Sequence, residues 1–364
     1  MADELIGSQK PTPENSPFVP VAPLLTVDKL RKTYLLRRSL GDRIRGGGAD
    51  RVPAVDNVSF DLVAGETLGI AGESGSGKTT VVRCLIRLIE PDSGTVMFRD
   101  LDVRAASGSG LRDVRRRMQM VFQDPHASLN PRLRVGQALL EAGRVHKRPE
   151  ASDGDRFVSQ LLELVNLPSS VAAKHPRELS GGQRQRVAMA RALAVGPEVL
   201  IADEAVSALD VSVQAQLLNL FQDLKAQLGL TMIFVAHQLS VIAQTADRVA
   251  IMYLGRIIEL GPVSSVFRDA QHPYTRALLA AHPQPDPDQP LKIEFQLGSA
   301  GLGLTTGCHY RERCPYAEPV CEREDPALVP VGPGHVAACI PLPFAAGHQR
   351  TRDEHSVPSG SGNS

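Results

Sequence analysis

The chain contains the run Gly72-Glu-Ser-Gly-Ser-Gly-Lys-Thr79. It fits the pattern G-x-x-x-x-G-K-[ST], a glycine-rich loop whose backbone N–H groups surround the phosphates of a nucleotide. The apolar segment 67–71 before the run predicts a buried strand, and the segment 79–88 after it predicts a helix. A strand, the loop and a helix in this order are the context that the pattern requires. The sequence therefore indicates a nucleotide-binding α/β domain.

Each residue type in this loop has a chemical reason. Lys78 is predicted to reach the β- and γ-phosphates, and the Thr79 hydroxyl to ligate Mg²⁺. The N-terminus of the following helix adds a partial positive charge. The predicted phosphate ligands are Gly72, Glu73, Ser74, Gly75, Ser76, Gly77, Lys78, Thr79 and Thr80.

Length and charge limit the possible functions. The chain has 364 residues, of which 42% are hydrophobic, and this is enough for a large core. Lys plus Arg and Asp plus Glu each number 40, so the formal net charge is zero. The chain therefore lacks the overall positive field that recruits nucleic acid or an anionic membrane. We expect its partners to bind at local surfaces, and no nucleic acid among them.

The sequence also predicts where the protein works. No apolar run approaches the ~20 residues that a membrane helix needs. The N-terminus carries Asp3 and Glu4 and has no apolar segment of the kind found in secretory signals. We expect a cytoplasmic location, where disulfides are rare.

Shifts in composition divide the chain. Five prolines precede residue 24, and a second proline-rich run at 283–290 is typical of a stiff linker. The predicted parts are a disordered leader at 1–23, an α/β domain at 24–283 with a helical insertion at about 125–190, a linker and cysteine-containing module at 284–345, and a disordered tail at 346–364.

Periodicity predicts the elements of the α/β domain. Leu25–Tyr34 and Ala54–Leu62 are typical of strands in a short antiparallel sheet, on either side of an Arg/Gly-rich loop at 37–51. The continuous apolar runs 199–202 and 232–236 indicate parallel strands that are covered on both faces. Further strands are predicted at 96–99 and 118–122, and helices at 137–144, 156–165, 182–193 and 213–228.

Two carboxylates, Asp203 and Glu204, follow one of these buried strands at its C-terminal end, where α/β sheets present ligands. The pair resembles a Walker B site. Asp203 is predicted to hold Mg²⁺, directly or through water, and Glu204 to polarise the water that attacks the γ-phosphate. The alternative is a pair of solvated carboxylates at a strand end, and the phosphate loop upstream favours the first interpretation.

A second anion site is predicted where Leu179-Ser-Gly-Gly-Gln183 opens a helix. Ser180, Gly181 and Gly182 leave backbone N–H groups uncovered at the helix N-terminus. The alternative is an ordinary N-cap serine followed by a turn.

With these motifs in this order, the chain resembles the ATP-binding subunit of an ABC transporter. The resemblance implies a P-loop (RecA-like) nucleotide-binding domain with an antiparallel β subdomain, a helical subdomain and a small cysteine-containing C-terminal module. It also implies ATP and Mg²⁺ as cofactors, and ATP hydrolysis as the activity. In that family the phosphate loop of one chain and the Ser180–Gln183 motif of an opposing chain enclose one ATP, so a dimer is implied.

Four further positions match motifs of the same family. The resemblance implies that Gln123 contacts Mg²⁺ or the attacking water and passes the state of the γ-phosphate to the helical insertion. His237 matches the residue that contacts the γ-phosphate, Asp210 lies in the D-loop, and Tyr34 matches the aromatic residue that stacks on adenine. The implied catalytic residues are Lys78, Gln123, Glu204 and His237, and the implied Mg²⁺ ligands are Thr79, Gln123 and Asp203.

Longer segments narrow the resemblance to the oligopeptide, dipeptide and nickel importer branch. These are 121–131, 210–216 and 272–279, and matches extend from about Leu25 to Cys339. The branch implies a second ATPase subunit, identical or paralogous, with two transmembrane permease subunits and an extracytoplasmic solute-binding protein. The chain is then peripheral, at the cytoplasmic face of the bacterial inner membrane. Peptides are the favoured solute, with nickel or another small solute as the alternative.

Two positions depart from the family pattern. Ala205 occupies a position that is usually proline, and Ala236-His237-Gln238 replaces the commoner Ser-His-Asp. Neither change removes a catalytic group, although both affect the local loop geometry.

The module at 284–345 holds four of the five cysteines, spaced C-x5-C-x6-C-x17-C. Clustered thiols in a reducing compartment indicate metal ligation rather than disulfides. Some members of the resembled branch bind a [4Fe-4S] cluster here, and four thiolates are its usual ligands. We rank the cluster first, zinc second and unligated thiols third, with His309 and His335 as substitute ligands. The implied cluster ligands are Cys308, Cys314, Cys321 and Cys339, whereas Cys84 is predicted to be a small buried hydrophobic residue.

Two other classes of function are compatible with a phosphate loop. A soluble ABC ATPase of translation or repair usually has two cassettes or a long coiled coil, and neither pattern is present in this sequence. A regulatory module that holds ATP without hydrolysing it needs neither Glu204 nor His237. The sequence therefore favours an energy-coupling ATPase.

Overall fold

The structure is a computed structural model, and it describes residues 22–36, 50–124, 128–207, 209–281 and 306–341. The predicted tail lies outside the described residues, as do the predicted leader up to residue 21 and the predicted loop from 37 to 49. The predicted linker at 283–290 also lies outside them.

The described strands form two sheets. In order, the four-stranded sheet is β2-β1-β4-β5 and the eight-stranded sheet is β11-β12-β10-β9-β3-β8-β7-β6. The strands are β1 (Leu25–Leu36), β2 (Asp50–Leu62), β3 (Thr67–Ala71), β4 (Ser93–Phe98), β5 (Leu101–Asp102), β6 (Met118–Val121), β7 (Val199–Asp203), β8 (Thr231–Ala236), β9 (Arg248–Tyr253), β10 (Arg256–Pro262), β11 (Val329–Gly332) and β12 (His335–Ala337).

Helices surround the larger sheet and fill the insertion. The α-helices are α1 (Lys78–Leu85), α2 (Gly108–Arg117), α3 (Val135–Val145), α4 (Gly154–Leu164), α5 (Gly181–Leu193), α6 (Val211–Leu228), α7 (Leu239–Thr245), α8 (Val263–Arg268), α9 (Pro273–Ala280) and α10 (Val320–Arg323). Short 3-10 turns lie at Pro149–Ser152, Ser169–Ala173, Pro176–Glu178 and Arg311–Arg313.

Most predicted elements are confirmed, but several predicted boundaries are wrong: β2 begins at Asp50 rather than Ala54, and β4 begins at Ser93 rather than residue 96. The helix after the phosphate loop was predicted to reach residue 88, but α1 ends at Leu85. Arg87 has φ of 52°, in the left-handed region that a continuing helix cannot use. Leu88 is 48% exposed, so its apolar side chain does not extend the buried face of α1.

The predicted parallel strands are confirmed. β3 pairs in parallel with β8 and β9, and β7 pairs in parallel with β6 and β8. Every residue of β3, β7 and β8 is buried, as expected for strands that are covered on both faces. Their carboxyl ends therefore lie along one edge of the sheet.

The two faces of this sheet contribute to different hydrophobic cores. Leu68 and Ile70 of β3 join the core that is shared with the antiparallel sheet. Leu200 and Ala202 of β7 join the core that is shared with the helical insertion. Each fully buried leucine or isoleucine contributes roughly 1.5–3 kcal/mol, so both cores hold the carboxyl edge in place.

The cysteine-containing module is joined to the larger sheet. β12 pairs antiparallel with β10, and β11 pairs with β12. The joint contains Glu259 of β10, a fully buried carboxylate that accepts hydrogen bonds from the backbone N–H groups of Gln271 (2.7 Å) and His272 (3.0 Å). The His335 Nε2 of β12 lies 2.8 Å from the same carboxylate. A buried polar joint therefore fixes the hairpin to the sheet edge.

We expect His335→Ala to lower the free energy of unfolding by about 2 kcal/mol, because a buried carboxylate loses one hydrogen-bonding partner. Chemical denaturation of the full chain measures the change. Val329→Ala, at an exposed position of the same hairpin, is the control and should change stability by less than about 0.5 kcal/mol. Equal stability of His335→Ala and the wild type would contradict the stabilising role of the Glu259–His335 contact.

A second prediction concerns His272, the N-cap of α9, whose Nδ1 accepts a hydrogen bond from the Tyr274 N–H. Burial lowers the pKa of His272 to about 4, although the nearby Glu259 opposes the shift. The unfolded chain binds this proton near pH 6.5 and the folded chain does not, so stability falls as pH drops from about 6.5 to 4. The slope from this group is at most about 1.4 kcal/mol per pH unit.

The control for this prediction is His272→Asn, since an asparagine oxygen can also cap the helix but does not titrate. Denaturation curves at several pH values should show a shallower pH dependence for the variant. Identical slopes in the two proteins would rule out His272 as the titrating group.

Candidate nucleotide-binding and hydrolysis site

The phosphate loop connects β3 to α1 and packs closely against other strands. Gly72 has φ of 149° and Gly77 has φ of 101°, in the region that favours glycine. A Cβ atom at Gly77 would overlap the carbonyl oxygen of Ala54, and one at Gly72 would overlap that of Met252. Only glycine allows the loop this conformation, while Ser74 at its tip stays exposed.

Lys78 lies inside the loop with 4% of its side chain exposed. Its Nζ donates hydrogen bonds to the carbonyl oxygens of Gly72 (2.8 Å) and Glu73 (3.0 Å). Burial lowers the pKa of Lys78, and the nearby Glu204, Asp203 and Glu73 carboxylates oppose this. The ammonium group is thus held at the centre of the loop, where it can meet a phosphate.

Thr79 and Asp203, both predicted Mg²⁺ ligands, are in direct contact. The Thr79 Oγ1 donates to the Asp203 Oδ1 at 2.9 Å. Burial raises the pKa of Asp203, while the hydrogen bond from Thr79 and the charge of Arg83 act in the opposite direction. A hydroxyl and a carboxylate side by side are oxygen ligands of the kind that Mg²⁺ prefers, so these residues fit the ion.

Glu204 follows β7 in a left-handed conformation, with φ of 49°. Such a conformation costs energy in a residue with a side chain and is common at functional sites. The carboxylate of Glu204 lies 3.9 Å from the His237 Nδ1 and 4.0 Å from the Lys78 Nζ. Three of the four predicted catalytic side chains therefore lie together at the carboxyl edge of the sheet.

Gln123, the fourth, is linked to this group through one hydroxyl. Its Nε2 lies 3.5 Å from the Ser207 Oγ, and that hydroxyl donates to the Glu204 carbonyl oxygen at 2.9 Å. Ser207 has no predicted role, and the only sequence signal for it is its place near Asp210 in the D-loop motif. In a second contact that was not predicted, the Gln214 Nε2 donates to the Gln238 Oε1 at 3.1 Å.

Residues 180–183 take the N-capping arrangement that the sequence left as an alternative. The Ser180 Oγ accepts from the Gln183 N–H at 3.3 Å, and the Gln183 Oε1 accepts from the Ser180 N–H at 3.2 Å. Gly181 and Gly182 lie near Leu209 and Val213. The described side-chain hydrogen bonds of Ser180 and Gln183 stay within this motif, so they do not join it to the phosphate loop of the same chain.

Two further predicted positions lie at the surface. Asp210 is exposed and precedes α6 without capping it through its side chain. Tyr34 in β1 is 38% exposed, and the Lys32 Nζ lies 6.0 Å from the centre of its ring. The ring is thus partly accessible to solvent, and the adenine contact stays a prediction.

The four C-terminal cysteines do not form a metal site in this structure. The Cys308 N–H donates to the Cys321 carbonyl oxygen at 2.8 Å, and Cys314 lies close to both. Burial raises the pKa of Cys308 and raises that of Cys314 to about 11, so both are thiols near neutral pH in the metal-free chain. Within the described residues, no group of three or more His, Cys, Asp or Glu side chains is placed to hold a metal ion. The arrangement does not fit the predicted [4Fe-4S] cluster.

Among the helices of the described ranges, none combines the length and apolar character needed to span a bilayer. This finding concerns only those ranges.

Two family models match the chain. The model for the ABC transporter family matches residues 55–207, and the model for the oligopeptide/dipeptide transporter C-terminal region matches residues 258–321. The first range holds the phosphate loop and the Asp203–Glu204 pair. The second includes three of the four C-terminal cysteines.

Curated relatives match along most of their length. A putative peptide import ATP-binding protein of Brucella ovis is 44% identical over 320 residues, which cover 87% of this chain and 98% of the relative. A probable peptide ABC transporter ATP-binding protein of Sinorhizobium fredii is 45% identical over 332 residues, covering 89% and 92%. A putative oligopeptide transport ATP-binding protein of Bacillus subtilis is 41% identical over 322 residues, covering 87% and 95%.

Solved structures share the fold of the nucleotide-binding domain. CbiO1 of Clostridium perfringens, part of the ABC transporter complex cbiONQ, aligns with a TM-score of 0.57 at 27% identity, covering 68% of this chain and 91% of that one. An ATP-binding cassette dimer in a post-hydrolysis state with ADP and Pi aligns with a TM-score of 0.56 at 26% identity, covering 66% and 98%. The chain thus belongs to the ATP-hydrolysing, ATP-binding subunits of ABC transporters, in the oligopeptide and dipeptide branch.

Proposed function

We propose that this chain energises the import of oligopeptides or dipeptides by binding and hydrolysing ATP at the carboxyl edge of its larger sheet. The observation that supports this proposal is that five side chains lie together at that edge: Lys78, Thr79, Asp203, Glu204 and His237. Peptide import is favoured over nickel import because the matched relatives are named for peptides.

The chemistry at this group is phosphoryl transfer to water. The loop N–H groups and Lys78 bind the β- and γ-phosphates and stabilise negative charge as it develops. Thr79 and Asp203 would hold Mg²⁺, which neutralises charge on the phosphate oxygens. Glu204 orients the attacking water and accepts its proton, while His237 contacts the γ-phosphate from the next strand. Little covalent work is required of the protein, so positioning carries the catalysis.

We propose further that a second ATPase chain completes the site with its own Ser180–Gln183 motif. Ser180 and Asp210 are exposed, and Val211 beside Asp210 is 83% exposed. A large exposed hydrophobic residue next to a motif of the predicted dimer surface supports a partner there. An isolated chain should therefore hydrolyse ATP slowly.

Coupling to the permeases is assigned to a cleft beside Gln123. The cleft, of about 290 Å³, lies between β6 and the helical insertion and includes Phe122, Glu141 and Arg191 in its lining. Gln123 adjoins this lining and also reaches Glu204 through Ser207, so nucleotide state can be passed to the cleft. The proposed partners are two permease subunits and an extracytoplasmic solute-binding protein. The proposed location is peripheral, at the cytoplasmic face of the bacterial inner membrane.

We also propose how the chain divides into domains. The ATPase domain spans 24–283, with the helical subdomain at about 125–190, and the linker and C-terminal module span 284–345. A separate family model matches residues 258–321, and this range covers the last part of the proposed ATPase domain as well as much of the C-terminal module.

We expect Glu204→Gln to lower ATP turnover by about 10²–10³-fold in a preparation reconstituted with its permeases, because the attacking water loses its base. ATP affinity should stay within about twofold of the wild type, since the charge removed acts on the water rather than on nucleotide binding. Glu163→Gln, an exposed carboxylate on α4, is the control and should retain full turnover. Equal turnover of Glu204→Gln and the wild type would reject the role of Glu204.

For the C-terminal thiols, the iron–sulfur hypothesis rests on the set of four cysteines, and the arrangement of this structure does not support it. If the cluster exists, the full chain purified without oxygen should contain iron and sulfide and show broad visible absorption. Cys314→Ser should then lose that absorption, whereas Cys84→Ser, a buried cysteine in α1, should keep it. Zinc alone, or no metal in the wild type, would reject the cluster.

A further inference from the structure

Glu73, the second residue of the phosphate loop, has partners at each of its polar groups. Its N–H donates to the Tyr274 Oη at 2.9 Å, and its carboxylate accepts two hydrogen bonds from Arg313 at 3.1 and 3.3 Å. Its carbonyl oxygen accepts from the Lys78 Nζ at 3.0 Å and the Ser76 N–H at 3.1 Å. The loop is thus anchored from outside by residues that lie about 200 positions or more away in the sequence.

Arg313 belongs to the C-terminal module, and its side chain contacts both Glu73 and Tyr253. Its side chain is 11% exposed, and its two terminal nitrogens form a fork on the Glu73 carboxylate. Such paired, charge-assisted hydrogen bonds fix geometry as well as adding stability. Burial alone would lower the pKa of Arg313, but the hydrogen bonds to Glu73 and Tyr253 outweigh burial and raise it. The guanidinium therefore remains charged.

A cluster of three tyrosines holds this guanidinium in place. The rings of Tyr253, Tyr274 and Tyr310 lie 4.6 to 5.6 Å apart between centres. Arg313 lies 5.8 Å from the centre of the Tyr253 ring and 5.7 Å from that of Tyr310, within the range of cation–π attraction. The three rings come from β9, α9 and the C-terminal module, so the cluster joins the module to the ATPase domain.

Arg313 could have either of two roles: it could attach the C-terminal module to the ATPase domain, or it could position the phosphate loop. If Arg313 served only to attach the module, the β10–β12 pairing and the Glu259–His335 contact would already provide that attachment. Arg313 instead ends on a loop residue whose carbonyl oxygen contacts the Lys78 Nζ. A single residue, Glu73, therefore connects Arg313 to the ammonium group of Lys78.

We propose that Arg313 is a positioning residue for ATP binding, which fixes Glu73 and thereby the shape of the phosphate loop in its own chain. The C-terminal module then sets nucleotide affinity from a distance, since a contact that stabilises one loop shape favours the ligand bound by that shape. The inference rests on the proposed phosphate-loop site. Tyr274 acts with Arg313 by holding the Glu73 N–H.

The test is a titration of the full-length chain with Mg·ATP, comparing the wild type with Arg313→Gln, Arg313→Lys and the control Arg323→Gln, an exposed arginine of the same module. We expect Arg313→Gln to weaken ATP binding roughly five- to tenfold, at the low end of coupling between linked sites. Arg313→Lys should recover part of this loss, because it keeps the charge and loses the fork. Arg323→Gln should bind like the wild type.

A double-mutant cycle with Glu73→Gln separates positioning from general destabilisation. Once Glu73 has lost its charge, adding Arg313→Gln should weaken ATP binding by less than twofold more. In the permease-reconstituted preparation, Arg313→Gln should raise KM for ATP and leave kcat nearly unchanged. A loss of unfolding temperature with unchanged ATP affinity would overturn the proposal, as would additive effects in the cycle. If the wild type itself fails to bind ATP, the phosphate-loop site falls instead.

Discussion

The register of the parallel strands is the constraint on which the site depends. Ala71 at the end of β3 pairs with Ala236 of β8, and Asp203 at the end of β7 pairs with Val235. These pairings bring the phosphate loop and the buried Asp203 to the same edge, where the Thr79 hydroxyl can reach the carboxylate. A slip of one residue would turn each side chain to the opposite face and separate these groups.

Hydrophobic burial around the carboxyl edge offsets the free-energy cost of placing polar and strained residues there. Both faces of the strands are covered, one by the antiparallel sheet and the other by the helical insertion, so the edge is rigid even though it carries polar and strained residues. Glu204 keeps a left-handed backbone there, and Gly77 keeps the loop in contact with β2. At the far side of the sheet, β12 extends the same structure and brings the C-terminal module to the loop.

The local features were predictable from sequence because each is encoded in a short stretch. The loop at 72–79, the carboxylates after β7 and His237 after β8 each follow a buried apolar strand, and that pattern is visible without a structure. Contacts between distant segments were not predictable: no local signal pairs Glu73 with Arg313 or adds β12 to β10. The spacing of the four cysteines suggested a metal site, but spacing alone does not determine how a chain brings thiols together.

The most direct test of the central claim is a structure of the full-length Glu204→Gln variant with Mg·ATP. We expect the Lys78 Nζ to lie within about 2.7–3.0 Å of a β- or γ-phosphate oxygen, with the Thr79 Oγ1 on Mg²⁺ at about 2.0–2.1 Å and Asp203 next to the ion. The Lys78 contacts to the Gly72 and Glu73 carbonyl oxygens should give way to the phosphates. Nucleotide bound on another surface, with Lys78 still on those carbonyl oxygens, would contradict the central claim.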